Sequence, residues 1–156
     1  MKLPLLFTLS VLVCFDLFAA GTYGQRIVAA VLVAEAGIEG REGMIAVAEV
    51  IRNSADDRGI TMLAEVQRRA RYTPVTKAGG VDNLLMKYSK SHYYKEALEV
   101  AKIAYNTPEK LPGVTKGATF FHLTNMPPYW AKGMKPVATV GRHHFYVTPR
   151  NQRKNR

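Results

Sequence analysis

Ile27-Val28-Ala29-Ala30-Val31-Leu32-Val33-Ala34-Glu35-Ala36-Gly37 is the stretch whose reading decides the fold. Eight apolar residues in succession leave no polar face. They predict a helix over Gln25 to Ala36 that other elements enclose, rather than one laid on a surface. Thr22 is placed to cap its start and Gly37 to end it. The acid after the run carries the chemistry. Burial disfavours an ionised carboxyl and the negative end of the helix dipole disfavours it again, so both raise the pKa of Glu35 and suit it to general-acid work. A glutamate at a helix end is usually a solvated surface group; the apolar run argues otherwise here.

Downstream, a second helix is expected over Glu42 to Asn53, with Met44, Ile45, Val47, Ala48 and Ile51 inward and Glu49 and Arg52 on the other face. Asp56-Asp57-Arg58-Gly59 reads as a turn, Thr61 as a cap, and Met62 to Arg69 as a short third helix with Leu63 and Val66 turned inward. From Arg71 to Ser91, Pro74, Gly79 and Gly80 break the pattern, which predicts a long surface loop of the kind that carries function. Tyr94, Ala97, Leu98, Ala101, Ala104 and Tyr105 form one stripe of a helix stopped by Asn106-Thr107-Pro108. Ala118 to Leu123 and His143 to Val147 then read as strands, separated by the Asn125-Met126-Pro127-Pro128 turn and an exposed Lys132-Gly133 stretch. Helices first and short strands last make this an α+β domain with a small antiparallel β part at its C-terminal side.

The chain has 156 residues, 47% of them hydrophobic, which supports one domain with a real core. Lys2, the apolar run Leu3 to Val13 and the small residues Ala19, Ala20 and Gly21 resemble a secretory signal over residues 1–24, cut after Gly21 or Gly24. Asp16 and the shortness of the run argue against a retained anchor. The expected destination is the periplasm, the cell wall or the exterior, with membrane contact only during export. Cys14, the single cysteine, would leave with the signal. Residues 25–148 form the expected catalytic domain. The tail 149–156 is basic, has nothing apolar to bury after Arg150, and is expected to be disordered.

A formal charge of +10 points to an anionic partner. Nucleic acid, anionic lipid and the bacterial cell wall all qualify; export favours the wall, and no nucleic-acid motif is present. Glu39 and Glu42 follow Glu35 closely enough to serve as a second acid. On their own terms, Glu42 reads as a favourable charge at a helix start and Glu39 as solvated. His122, His143 and His144 raise the question of a metal. Adjacent residues of a strand point to opposite faces, and no zinc-type spacing occurs, so neither metal nor cofactor is expected. Tyr72, Phe121, Tyr129, Trp130 and Tyr146 could line a sugar-binding groove, although core is the better reading for Phe121 and Phe145.

Three separated blocks carry a resemblance. They are Ala34-Glu35-Ala36 through Glu39, Glu42-Gly43 and Ala46-Val47-Ala48 to Asn53; Gly117-Ala118-Thr119-Phe120-Phe121-His122; and Pro128-Tyr129-Trp130-Ala131 with Gly141-Arg142-His143-His144-Phe145-Tyr146. In order and spacing the chain resembles the cell-wall hydrolases typified by the spore cortex-lytic enzymes, over about Arg26 to Tyr146. The resemblance implies a lysozyme-like helical core with Glu35 as catalytic acid. It implies cleavage of the β-1,4 bond between N-acetylmuramic acid and N-acetylglucosamine, with lytic transglycosylation as the expected outcome. It makes Gln67, Tyr72 and Thr73 candidates for substrate contact, beside Thr119, Phe121, His122, Trp130 and His143. Where the family often has Gly before the glutamate and Arg-Gly after the alanine, this chain has Ala34 and Gly37-Ile38.

The expected partner is therefore the peptidoglycan glycan strand, bound by a monomer, and the chain's shortness would suit a phage lysin. Four rivals remain at this level: a hydrolytic muramidase using a second carboxylate, a non-catalytic peptidoglycan-binding module, a metal-dependent amidase or peptidase built on His122 and His143, and a basic nucleic-acid-binding protein.

Overall fold

The computed structural model describes residues 21–147; the expected tail and nearly all of the expected signal lie outside the described residues. Helix α1 spans Tyr23–Ala36 and opens with a capping box, in which the Thr22 hydroxyl accepts from the Gln25 N–H while the Gln25 side chain accepts from Thr22. Ile27 through Leu32 are fully enclosed. A one-turn 3₁₀ segment, Gly37–Glu39, leads directly into α2, Gly40–Arg58. There follow α3 (Met62–Gln67), α4 (Thr73–Ala78), α5 (Val81–Tyr88) and α6 (Tyr94–Asn106). All five of these later helices pack on α1.

The β part is a three-stranded antiparallel sheet of β1 (Phe120–Leu123), β2 (Ala138–Val140) and β3 (His143–Tyr146), with β3 in the centre. Phe121 pairs with Phe145 and His122 with His144 on one side of β3, while Val140 pairs with His143 on the other. Ala46 and Val50 of α2 meet Ala118, Val140 and Phe145 in a second small core that fastens sheet to helices. The architecture is α+β, helix-rich with its sheet at the C-terminal end.

Four expectations are corrected. The segment from Arg71 to Ser91 is two helices rather than a long loop. Pro74 sits in the first turn of α4, where its missing N–H is harmless; Gly79 and Gly80, at φ +76° and +129°, supply the left-handed bend into α5. Helices of six and eight residues are too short for their period to show, although Val75, Val81, Leu84 and Leu85 are buried. Asp56 to Arg58 continue α2, aided by an i,i+4 pair of Arg52 with Asp56 at 2.7 Å, and Gly59 at φ +65° ends it. Strand β2 has only three residues, which hid it in sequence.

The fourth correction concerns Glu49. Expected on the outer face of α2, it is buried, and its carboxylate accepts from the backbone N–H groups of Gly113 (2.7 Å), Val114 (3.2 Å) and Thr115 (2.9 Å) and from the Thr115 hydroxyl (2.7 Å). An acid on α2 thus anchors the loop that delivers β1. Glu49→Ala leaves three backbone donors without an acceptor. It is expected to lower the unfolding free energy by about 3 kcal/mol, measured by urea denaturation at unchanged m-value; a loss under about 0.5 kcal/mol contradicts this anchoring role.

Candidate active site

Past its enclosed middle, the cover over α1 opens again at the last turn. Ala34 and Glu35 are only partly buried, between Val33 and Ala36, which are closed in. Glu35 emerges there into a groove of about 830 Å³ lined by α1, the segment Arg68 to Tyr88, the β1 region and the turn that carries Trp130. The surroundings desolvate the carboxyl and raise its pKa from an ordinary value near 4.5 to about 7, against a smaller opposing pull from the Arg71 guanidinium. No hydrogen bond or ion pair holds Glu35 among the described residues. At neutral pH it holds a proton for a substantial part of the time.

Arg71 is fixed from several sides. Its Nε donates to Glu65 at 2.8 Å, and its Nη2 donates to the Ser54 hydroxyl at 2.9 Å and to the Thr119 carbonyl. Its guanidinium lies 4.4 Å from the centre of the Phe120 ring and 5.4 Å from that of Tyr72. Glu65 is wholly buried and also takes Arg68 at 3.0 Å and Arg58 at 3.4 Å. The chain makes this bend with Ala70 at φ +56°, a left-handed conformation that costs a residue with a side chain about 1 kcal/mol. The bend brings Arg68 and Arg71 onto one carboxylate.

Glu39, expected to be solvated, is also buried, with 7% of its side chain exposed. Both carboxylate oxygens lie 3.2 Å from Nδ1 of His143, and the Arg142 N–H reaches Oε2 at 3.4 Å. Two glycines make the space: a Cβ on Gly141 would fall 2.4 Å from Oε2 of Glu39, and one on Gly43 would fall 2.6 Å from its Cβ. His143 is buried yet lines the groove, edge-on to Phe121 at 5.2 Å. Glu42 is exposed in the first turn of α2 and does not line the groove.

The aromatic side of the groove is a single contact network. His122 donates from Nδ1 to the Leu123 carbonyl at 2.7 Å, so its Nε2 accepts from the Tyr146 hydroxyl at 2.9 Å. It also stacks on Tyr146 at 5.2 Å. Trp130 packs edge-on against both His122 and Tyr146 and tilts against Phe120, while staying 43% exposed. Exposed indole beside a groove offers a flat face to a sugar.

Of the residues singled out from sequence, Glu35, Tyr72, Thr73, Phe121, His122, Trp130 and His143 come together around the groove. Tyr72 is buried against Arg71, and burial pushes the pKa of its hydroxyl up. Gln67 is exposed at the end of α3 and does not line the groove. Thr119 is buried behind it and acts through its carbonyl, which takes Arg71 and the Ser54 hydroxyl. Sequence reasoning missed Glu65, Arg71, Lys77, Lys87 and Tyr88. An acid three and six residues ahead of two arginines was the available signal for the first two. Among the described residues, no three His, Cys, Asp or Glu side chains gather as a metal-binding group.

Residues 38–146 match the sequence profile of the cell wall hydrolase family, a span that starts three residues after Glu35 and contains Glu39, Glu65, Arg71 and the whole sheet. No curated protein and no solved structure matches the chain. The matched span is well over half of the sequence, and the chain therefore belongs to the cell wall hydrolase family, as an enzyme of peptidoglycan breakdown.

Proposed function

We propose that the protein cuts the β-1,4 bond between N-acetylmuramic acid and N-acetylglucosamine as a lytic transglycosylase, with Glu35 as both acid and base. The observation that carries this reading is that, among the described residues, Glu35 is the one carboxyl lining the groove. Hydrolysis by the two-carboxylate routes needs a second acid across the scissile bond, either to activate water or to attack the sugar. Glu39 is committed to His143, and Glu42 lies outside the groove. One carboxyl suffices if the substrate brings its own nucleophile.

The protonated Glu35 donates to the glycosidic oxygen, the bond from that oxygen to the muramoyl anomeric carbon breaks, and N-acetylglucosamine leaves with a free 4-hydroxyl. The muramoyl 6-oxygen then bonds to the anomeric carbon, and its proton passes to the Glu35 carboxylate, which restores the acid. No water is consumed, and the new end is a 1,6-anhydro sugar. His122 and His143 bring imidazoles to the groove lining, and Trp130 a flat apolar face for the sugar.

This reading has the protein working in the periplasm or outside the cell, reached through a cleaved leader. Cleavage after Gly21 rather than Gly24 fits the fold better. Thr22 caps α1, and the Tyr23 hydroxyl donates to Asp82 at 2.7 Å; a cut after Gly24 removes both. N-terminal sequencing of the exported protein is expected to begin at Thr22, and a start at Gln25 contradicts that choice.

Three further outcomes test the chemistry. Mass spectrometry of muropeptides released by the protein is expected to show anhydro ends, and reducing ends would establish hydrolysis instead. Glu35→Gln is expected to abolish release of dye from labelled walls in a folded protein. The same variant should also be more stable than its parent above neutrality. The folded-state pKa of Glu35 is raised to about 7 from about 4.5, so the parent's stability is full below the lower value and declines as pH rises to the upper one. Urea denaturation is expected to favour Glu35→Gln by about 2–3 kcal/mol at pH 8 and by nothing at pH 4.

Because the protonated form starts the reaction, activity is expected to fall as pH rises through about 7. The Arg71 charge lowers that value, so Arg71→Gln moves the falling limb to higher pH and Arg71→Lys leaves it nearly in place. Identical limbs in parent and Arg71→Gln would remove Arg71 from the electrostatics of the acid.

A further inference from the structure

The groove is divided chemically by chain segment. Among the described residues, 68–88 contribute every cation that lines it, namely Arg68, Arg69, Arg71, Lys77 and Lys87. Residues 120–143 contribute no lysine or arginine to the lining but rings and imidazoles, among them Phe120, Phe121, His122, Trp130 and His143. Charge on the cationic side is far from balanced. Glu65 is one carboxylate against Arg58, Arg68 and Arg71, and no ion pair engages Arg69, Lys77 or Lys87 among the described residues. All three of these are exposed. Holding so many like charges around one groove is unfavourable unless an anion is to be bound there.

The glycan supplies no such anion. Its alternating amino sugars are N-acetylated, and the lactyl group of muramic acid is an amide wherever it carries a stem peptide. The negative charges of that polymer sit in the peptides, as the carboxylates of acidic residues and of the peptide terminus. Each peptide hangs from the muramoyl ring whose anomeric bond is cut, so it leaves the groove close to the scissile bond. We propose that the cationic segment, with Arg69, Lys77 and Lys87 as its members outside any ion pair, binds the carboxylates of stem peptides and makes peptide-substituted glycan the substrate. The sugar rings then lie toward the aromatic segment. This rests on the glycan-cutting reading given above, and it adds a requirement that the reading alone does not contain.

Binding of Glu35→Gln, which holds the wall without cutting it, tests this directly. Sacculi that retain their peptides are compared with the same sacculi stripped of peptides by an amidase, the lactyl carboxylates so freed being capped as methylamides, and with sacculi freed of wall phosphate by acid. Peptide-bearing glycan is expected to bind about tenfold more tightly than stripped glycan at low salt, with the difference shrinking as salt rises. Adding Lys77→Glu and Lys87→Glu together is expected to erase the difference, and the neutral pair Lys77→Gln and Lys87→Gln to reduce it, since both positions are exposed and the fold should tolerate either change. Equal binding to stripped and intact glycan overturns the proposal. So does a loss that follows removal of phosphate rather than of peptide, because the cations then read a different anion. Dye release by the parent protein is scored separately: a parent that cuts stripped and intact walls equally well sinks the peptide requirement and leaves the glycosidase reading standing, whereas a parent that cuts neither sinks both.

Discussion

Helix α1 has no polar side to give to water, and that constraint organises the molecule. Each fully buried Val, Leu or Ile contributes about 1.5–3 kcal/mol, and Ile27, Val28, Val31 and Leu32 are all at zero exposure. The gain is available only if other elements surround the helix, and all five later helices do. A helix so enclosed reaches the surface at its ends, and its last turn is the end that opens into the groove. The carboxyl placed at that point is held in surroundings set by the core rather than by its own preferences, so the energy that folds the domain is also what keeps a proton on Glu35.

A second organising device is the Glu65 to Arg71 contact. Removing a carboxylate and a guanidinium from water rarely yields net stability, because desolvation offsets most of the attraction. What the pair does supply is position. Arg71 reaches from the end of α3 to Ser54 on α2 and to the Thr119 carbonyl ahead of β1, and its flat face meets Phe120 and Tyr72. Helical body and sheet are thereby registered to one another across the groove. The same guanidinium pulls the pKa of Glu35 down, while the apolar end of α1 pushes it up more strongly. Architecture and acidity are coupled through one side chain.

Much of this was legible in the chain because the relevant signals are long or local. The uninterrupted apolar run, the Thr22 and Thr61 caps and the stripe from Tyr94 to Tyr105 each span enough residues, or use specific enough chemistry, to survive without tertiary information. The failures share a cause. Helices α4 and α5 and strand β2 are shorter than the window in which a period can be recognised. Glu39, Glu49 and Glu65 looked like surface acids because their partners are contributed by distant or irregular segments: His143 from the last strand, three amides from the loop after Pro112, and arginines across a left-handed Ala70. Sequence spacing reports on neighbours along an element. It is silent about a carboxylate met by backbone from sixty residues away.

Those three acids also explain why the fourth is different. A buried carboxyl has two ways to exist: ionised with donors arranged around it, or protonated without them. Glu49 has backbone amides and a hydroxyl, Glu65 has three guanidinium groups, and Glu39 has an imidazole and an amide in a space opened by Gly43 and Gly141. Glu35 has no such shell among the described residues, and the cation that acts on it, Arg71, is already spent on Glu65. The fold therefore withholds donors from Glu35 while providing them for Glu49 and Glu65 and, at one carboxylate oxygen, for Glu39. The glutamate left without them is also the one that reaches the groove, where a proton held near neutrality can be given to a substrate oxygen and taken back.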